Sequence, residues 1–142
     1  MTLQEILRVK GSRVHGIRID ATLDDVVQTL TEHNCGSLVV SERDGKVAGI
    51  ITERDILRAC AARRGPLDQL KVADFMTRNM VTASPADSVE ETMGLMTDRR
   101  IRHLPILDQG ELAGIISIGD VVKALHDQAA MENHYLKSYI QS

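Results

Sequence analysis

Residues 49–57 read GIITERDIL and residues 114–122 read GIISIGDVV, so a glycine is followed six positions later by an aspartate in both. A shift of 65 aligns residues 45–59 with 110–124. Seven of these fifteen positions are identical: Gly45, Ala48, Gly49, Ile50, Ile51, Asp55 and Ala59. Upstream of the glycine turn the better shift is 66, which brings Thr22 to Ser88, Asp25 to Glu91 and Leu38 to Leu104. A hairpin turn is where a repeat absorbs one residue of length. The chain is therefore an internal duplication.

Each copy carries the same order of signals. Thr22-Leu23-Asp24-Asp25 and Ser88-Val89-Glu90-Glu91 place a hydroxyl before two acids, a helix-start pattern. Leu23, Val26, Val27 and Leu30, and Val89, Met93 and Met96, then draw one helical face. β-rich runs follow at Ser37–Ser41 and His103–Leu107, glycine turns at Asp44-Gly45 and Gln109-Gly110, and second strands at Val47–Ile51 and Leu112–Ile116. A further helix begins after each second strand. With first strands expected near Val14–Ile19 and Val81–Ala83, each copy is β-α-β-β-α. The expected fold class is α/β, two such repeats packed pseudo-symmetrically sheet to sheet, since one copy is too short to bury a good core alone.

This division gives an N-terminal helical segment over 1–12, a first repeat over 13–64, a connection over 65–78 suited by Gly65-Pro66-Leu67, a second repeat over 79–127 and a C-terminal helical extension over 128–142. Leu3, Ile6 and Leu7, and Tyr135, Leu136, Tyr139 and Ile140, form apolar faces on the terminal helices. Such faces serve either packing on the protein's own core or a dimer contact.

Composition narrows the function. The 142 residues are 43% hydrophobic and 26% charged but only 2% aromatic, which weakens any reading that needs stacking platforms for single-stranded nucleic acid. Seventeen basic and twenty acidic side chains give a net charge of −3, which disfavours nucleic acid as partner. Arg63-Arg64 reads as solvated surface. Cys35 and Cys60 have no metal or redox spacing and read as small core residues suited to a reducing cytoplasm. No signal peptide or membrane-length apolar run is present. The five histidines make no zinc motif, and neither a P-loop nor a nucleophile elbow occurs, so no metal site and no catalytic activity are expected.

Thr52-x-x-Asp55 and Ser117-x-x-Asp120 admit two readings. Each is a helix cap, a hydroxyl with an acid three residues on, worth about 1 kcal/mol. Each also stands where a strand hands over to a helix, and there a short carboxylate can accept hydrogen bonds from a ribose while the helix N-terminus faces an anion.

The span from about Val14 to Leu125 resembles a tandem pair of cystathionine-β-synthase (CBS) domains, the Bateman module. The resemblance rests on Gly36-Ser37-Leu38-Val39-Val40 and Gly49 to Asp55 in one copy, and on Ile101-Arg102-His103-Leu104-Pro105-Ile106 and Gly114 to Asp120 in the other. It implies a regulatory sensor that binds AMP, ADP, ATP or NAD(H) in clefts shared between repeats. Carried over by residue, one cleft combines Lys10, His15, Cys35 and Gly36 with Ser117, Gly119 and Asp120. The other combines Val81 with Thr52, Arg54 and Asp55. Arg102 and His103 match phosphate-contacting positions. The resemblance further implies a homodimer and an unidentified regulated protein. The alternative is a structural or dimerisation module without ligand.

Overall fold

The computed structural model describes residues 1–141. Its elements are α1 (Leu3–Lys10), β1 (Gly16–Arg18), α2 (Leu23–His33), β2 (Ser37–Ser41), β3 (Val47–Thr52), α3 (Glu53–Ala62), α4 (Val72–Phe75), α5 (Val89–Arg99), β4 (His103–Asp108), β5 (Glu111–Ser117) and α6 (Ile118–Gln141), with a short 3-10 turn at Leu67–Gln69. They form two compact units. One contains residues 13–80; the other contains 1–12 and 81–142.

In the unit of residues 13–80 the sheet order is β1-β2-β3, with β1 parallel and β3 antiparallel to β2. The other unit has the β4-β5 hairpin. The two hairpins differ by the one residue that the change of shift requires. Glu42 and Lys46 close a three-residue loop in which Gly45 has φ 88°, whereas Asp108 and Glu111 close a two-residue loop with Gln109 at φ 52° and Gly110 at φ 82°. Both hairpins also change register at the same place, after Val40 and after Ile106. The register change leaves Ala48 and Ala113 as the equivalent extra residues.

The strand expected at Val81–Ala83 is absent. Only a parallel bridge, Ala83 to Ile106, stands in its place. In the first repeat Val39 N donates to His15 O (3.1 Å) and Ile19 N to Ser41 O (2.9 Å), bonds that flank β1. The equivalent donors in the second repeat are Pro105 and Pro85, which have no N–H. What survives is Ala83 N to Pro105 O and Leu107 N to Ala83 O. β1 itself is confined to Gly16–Arg18 rather than Val14–Ile19.

Each unit has its own apolar core, completed by a segment from elsewhere in the chain. Leu23, Val26, Leu30, Leu38, Val40 and Ile51 pack with Val72 of α4, and Phe75 and Met76 lie against them. Val89, Met96, Leu104, Ile106 and Ile116 pack with Leu3, Ile6 and Leu7 of α1. The docking is alike in both: Thr22 bridges Lys71, and Ser88 bridges Thr2. Each repeat is thus closed by the segment that precedes the other repeat in sequence. Gly65-Pro66-Leu67, expected between the repeats, stays inside the first unit, where Leu67 packs on the core.

The glycines of the two GII motifs are there for space. A Cβ on Gly49 would strike the Thr77 carbonyl, and Thr77 exchanges both backbone bonds with Ile50 (2.9 and 3.0 Å). A Cβ on Gly114 would stand 2.7 Å from Cδ2 of Leu7. Cys60, expected in the core, is exposed on the outer face of α3, and Cys35 is half-buried. Among the described residues no helix is long and apolar enough to cross a membrane.

Candidate functional site

The duplicated Thr/Ser-x-x-Asp motifs stand where β3 runs directly into α3 and β5 into α6. At the first switch Thr52 N donates to Asp55 Oδ2 at 2.9 Å and the Thr52 hydroxyl donates to the same oxygen at 3.4 Å. At the second, Ser117 N donates to Asp120 Oδ2 (2.8 Å) and Asp120 N donates back to Ser117 Oγ (3.1 Å), a reciprocal capping box. Both motifs therefore cap. The bonds converge on one carboxylate oxygen, Oδ2, and Oδ1 takes none of them.

What distinguishes the two acids is a cation. Lys10, at the end of α1, donates from Nζ to Asp120 Oδ2 (2.6 Å) and to Ile115 O (2.8 Å). Burial pushes the Asp120 carboxyl up, but the Lys10 hydrogen bond, the Ser117 backbone N–H and the Lys10 charge outweigh it, and its pKa falls below the ordinary value. At Asp55 the balance is reversed. Burial raises its pKa, only partly offset by the Thr52 bonds and by the charges of Arg58 and Arg54. The two repeats thus present carboxylates of opposite titration behaviour at equivalent positions.

The remaining residues singled out from the sequence divide between the units. Gly36 O accepts from Glu53 N at 3.1 Å, and its equivalent Arg102 O accepts from Ile118 N at 2.8 Å, so both lie beside the helix starts. His103 is the register partner of Ser117, as Ser37 is of Thr52. Arg54 and Gly119 are the second residues of α3 and α6, both on the exposed side. Val81 packs half-buried against the core of its own unit. Cys35 makes a long bond from Sγ to Ser37 O, 3.6 Å. His15 stacks on His33, centroids 3.9 Å apart and planes 13° from parallel. Desolvation, His33 and Arg13 lower the His15 pKa.

Three participants escape a reading of the sequence. His33 gives no signal, because its contact with His15 spans the first strand and α2. Arg58 does give one, since it follows Asp55 by three residues on a helix. Ile115 acts through its backbone oxygen, to which side-chain identity is blind.

Comparison with known proteins now has geometry to attach to. A family model, CBS domain, matches residues 3–62 and 72–127. The chain is 38% identical over 148 aligned positions to the mitochondrial CBS domain-containing protein CBSX3 of Arabidopsis thaliana, covering 99% of this chain and 72% of that one. Among solved structures, a CBS-domain containing protein from Agrobacterium tumefaciens is 40% identical with a TM-score of 0.84, covering 87% of this chain and 98% of that one. A hexameric CBS-CP12 protein from bloom-forming cyanobacteria is 31% identical with a TM-score of 0.74, covering 86% and 69%. Two matched repeats, each containing the same strand-to-helix aspartate, place this chain in the CBS domain family as a tandem pair.

Proposed function

We propose that this tandem CBS pair is a regulatory sensor that binds an adenosine nucleotide, AMP, ADP, ATP or NAD(H), at its strand-to-helix switch points. The observation that carries this reading is the duplicated aspartate at equivalent strand-to-helix switches, whose capping bonds fall on a single carboxylate oxygen, Oδ2, in both repeats. Asp120 is the stronger candidate. Lys10 and Ser117 hold its pKa below the ordinary value, and a carboxylate charged in this way accepts hydrogen bonds from ribose hydroxyls. Ser117, Gly119, Arg102 and His103 complete the second-repeat set, with Gly119 allowing close approach and Arg102 suited to phosphate. Thr52, Arg54 and Asp55 form the first-repeat set, and Val81, His15, Cys35 and Gly36 are assigned to the base. Ligand shifts the protein only by binding two arrangements with different affinity, and the regulated protein reads that shift. The hexameric relative supports self-association, and we assign a homodimer as the working form.

The test is thermal unfolding of wild type, Asp55→Ala and Asp120→Ala with AMP, ADP, ATP, NAD⁺, NADH and GTP. A ligand at a hundred times its Kd adds about 2.7 kcal/mol to the native state. A raised midpoint with an adenosine ligand, lost in Asp120→Ala, is the expected outcome. One observation favours a second reading, a ligand-free interaction module: both aspartates already serve as caps. An unmoved midpoint with every nucleotide would select it.

A further inference from the structure

The two repeats differ most in the space between their helices. In the second, α5 and α6 pack together, with Met96 and Val121 buried and Met93, Ile101 and Ile118 lying against the core. The equivalent positions of the first repeat are Leu30, Ile56, Val27, Cys35 and Glu53. Met93 gives way to the smaller Val27, Ile101 to the smaller Cys35 and Ile118 to the charged Glu53, while Leu30 and Ile56 keep apolar bulk at the other two positions. The result is an open groove of about 370 Å³ between α2 and α3, lined by Val27, Leu30, Cys35, Glu53, Ile56 and the polar Thr31 and Asn34.

The same chain carries an apolar helical face of the kind that groove lacks. Beyond residue 130, α6 exposes Met131, Tyr135, Leu136, Tyr139 and Ile140 by 61 to 82%. Leu136 and Ile140 are one turn apart and project together. Side chains of this size and exposure offer on the order of 800 Å² per chain, the share one partner brings to a standard interface. Charge agrees. Glu53 is the acid of the groove lining, and Lys137, the sole lysine or arginine after Lys123, flanks Leu136 and Ile140 on α6. Glu132, one turn before Leu136, is engaged by the Gln128 amide at 3.5 Å.

We propose that residues 131–140 of α6 seat Leu136 and Ile140 in the α2/α3 groove of a second copy of the chain, the two copies exchanging tails. This is helix-in-groove recognition with i and i+4 anchors, closed by twofold symmetry. It rests on the homodimer reading, gives that dimer a surface, and is tested without nucleotide. The first repeat receives from its partner the side chains that the second repeat supplies for itself.

Cys35 lines the groove and supplies a direct test. In full-length protein with Cys60→Ser and Leu136→Cys, mild oxidation by a disulfide/thiol couple should join Cys35 to position 136 between copies. Mass mapping on a mixture of isotopically light and heavy protein identifies the joined peptides and the copies they come from. Abundant light–heavy linkage is expected. Sedimentation then checks two variants: Leu136→Asp/Ile140→Asp, and Val27→Met/Cys35→Ile, which fills the groove as the second repeat fills its own. Each should raise the dimer dissociation constant at least tenfold, and the tail variant, altered only at exposed positions, should leave the monomer's unfolding midpoint unchanged. A dimer that forms without the crosslink, or with undiminished affinity in both variants, would overturn the groove assignment while leaving the homodimer standing. A linkage confined to single chains would overturn the second copy as occupant. A monomer in wild type would overturn both.

Discussion

At the scale of single residues, Asp55 and Asp120 do the same capping task under opposite electrostatics, and their pH dependence separates them. Asp120 has a folded pKa below its ordinary value of 3.8, so its contribution to stability is full above that value and is lost as pH falls through the lower folded one. Asp55 has a folded pKa above 3.8, so its ionised form weakens the fold at neutral pH and wild type gains as pH drops through that raised value. Urea unfolding between pH 3 and 7 should therefore show wild type losing its advantage over Asp120→Asn at the acid end. Over the same interval it should gain on Asp55→Asn. The Lys10 pair is partly exposed, with 36% of the lysine side chain accessible, so its share is roughly 0.5–1 kcal/mol. The glycines offer a second contrast at this scale. Gly49→Ala places Cβ on the Thr77 backbone, which cannot yield, and should cost about 1–3 kcal/mol. Gly114→Ala meets only a terminal methyl of Leu7, which can shift where a backbone carbonyl cannot, and should cost less than Gly49→Ala, both read as shifts in the urea midpoint.

Secondary-structure elements were legible wherever local chemistry decides them. Alternating apolar runs bounded by Asp44-Gly45 and Gln109-Gly110 placed both hairpins, and the one-residue change of shift is the difference between their loops. The first strand of the second repeat was misplaced because periodicity sees apolar residues and not missing donors. Val81, Thr82 and Ala83 suit a strand, yet Pro85 and Pro105 remove the two N–H groups that would hold it. Restoring those donors with Pro85→Ile and Pro105→Val should extend the single bridge into a ladder. Hydrogen exchange is the readout: slowed amides at 85 and 105 are expected, and exchange at the rate of free loops would mean that the prolines are not the cause. Thr92 illustrates a different limit. It takes the place of Val26, buried at 3% exposure, and is tolerated because its hydroxyl donates to Ser88 O at 2.7 Å. Composition alone gives no warning that a polar residue occupies a core position.

For the whole molecule the repeat was legible and the exchange of leading segments was not. Lys71-Val72 and Thr2-Leu3 dock on Thr22 and Ser88 in the same way, but they share too little sequence for the duplication to reach them. The consequence for stability is large. Leu3 is fully buried, and Leu3→Ala should cost about 2–5 kcal/mol. Removal of residues 1–12 takes Leu3, Ile6 and Leu7 together, a loss comparable to the entire stability of a domain. Limited proteolysis of that truncation should cut within 81–142 and spare 13–80. The nucleotide proposal also belongs to this scale, because it needs both copies of the motif to have been kept for more than capping. Its most direct measurement is a double-mutant cycle by calorimetry, with AMP and 2′-deoxy-AMP titrated into wild type, Asp55→Ala and Asp120→Ala. A hydrogen bond to a charged acceptor is worth about 1.5–3 kcal/mol, so removal of the hydroxyl should weaken binding to wild type at least tenfold. In the variant lacking the responsible aspartate the two ligands should bind alike. An equal penalty for the missing hydroxyl in all three proteins, or no binding of either ligand to any of them, would contradict the assignment of these carboxylates to ribose.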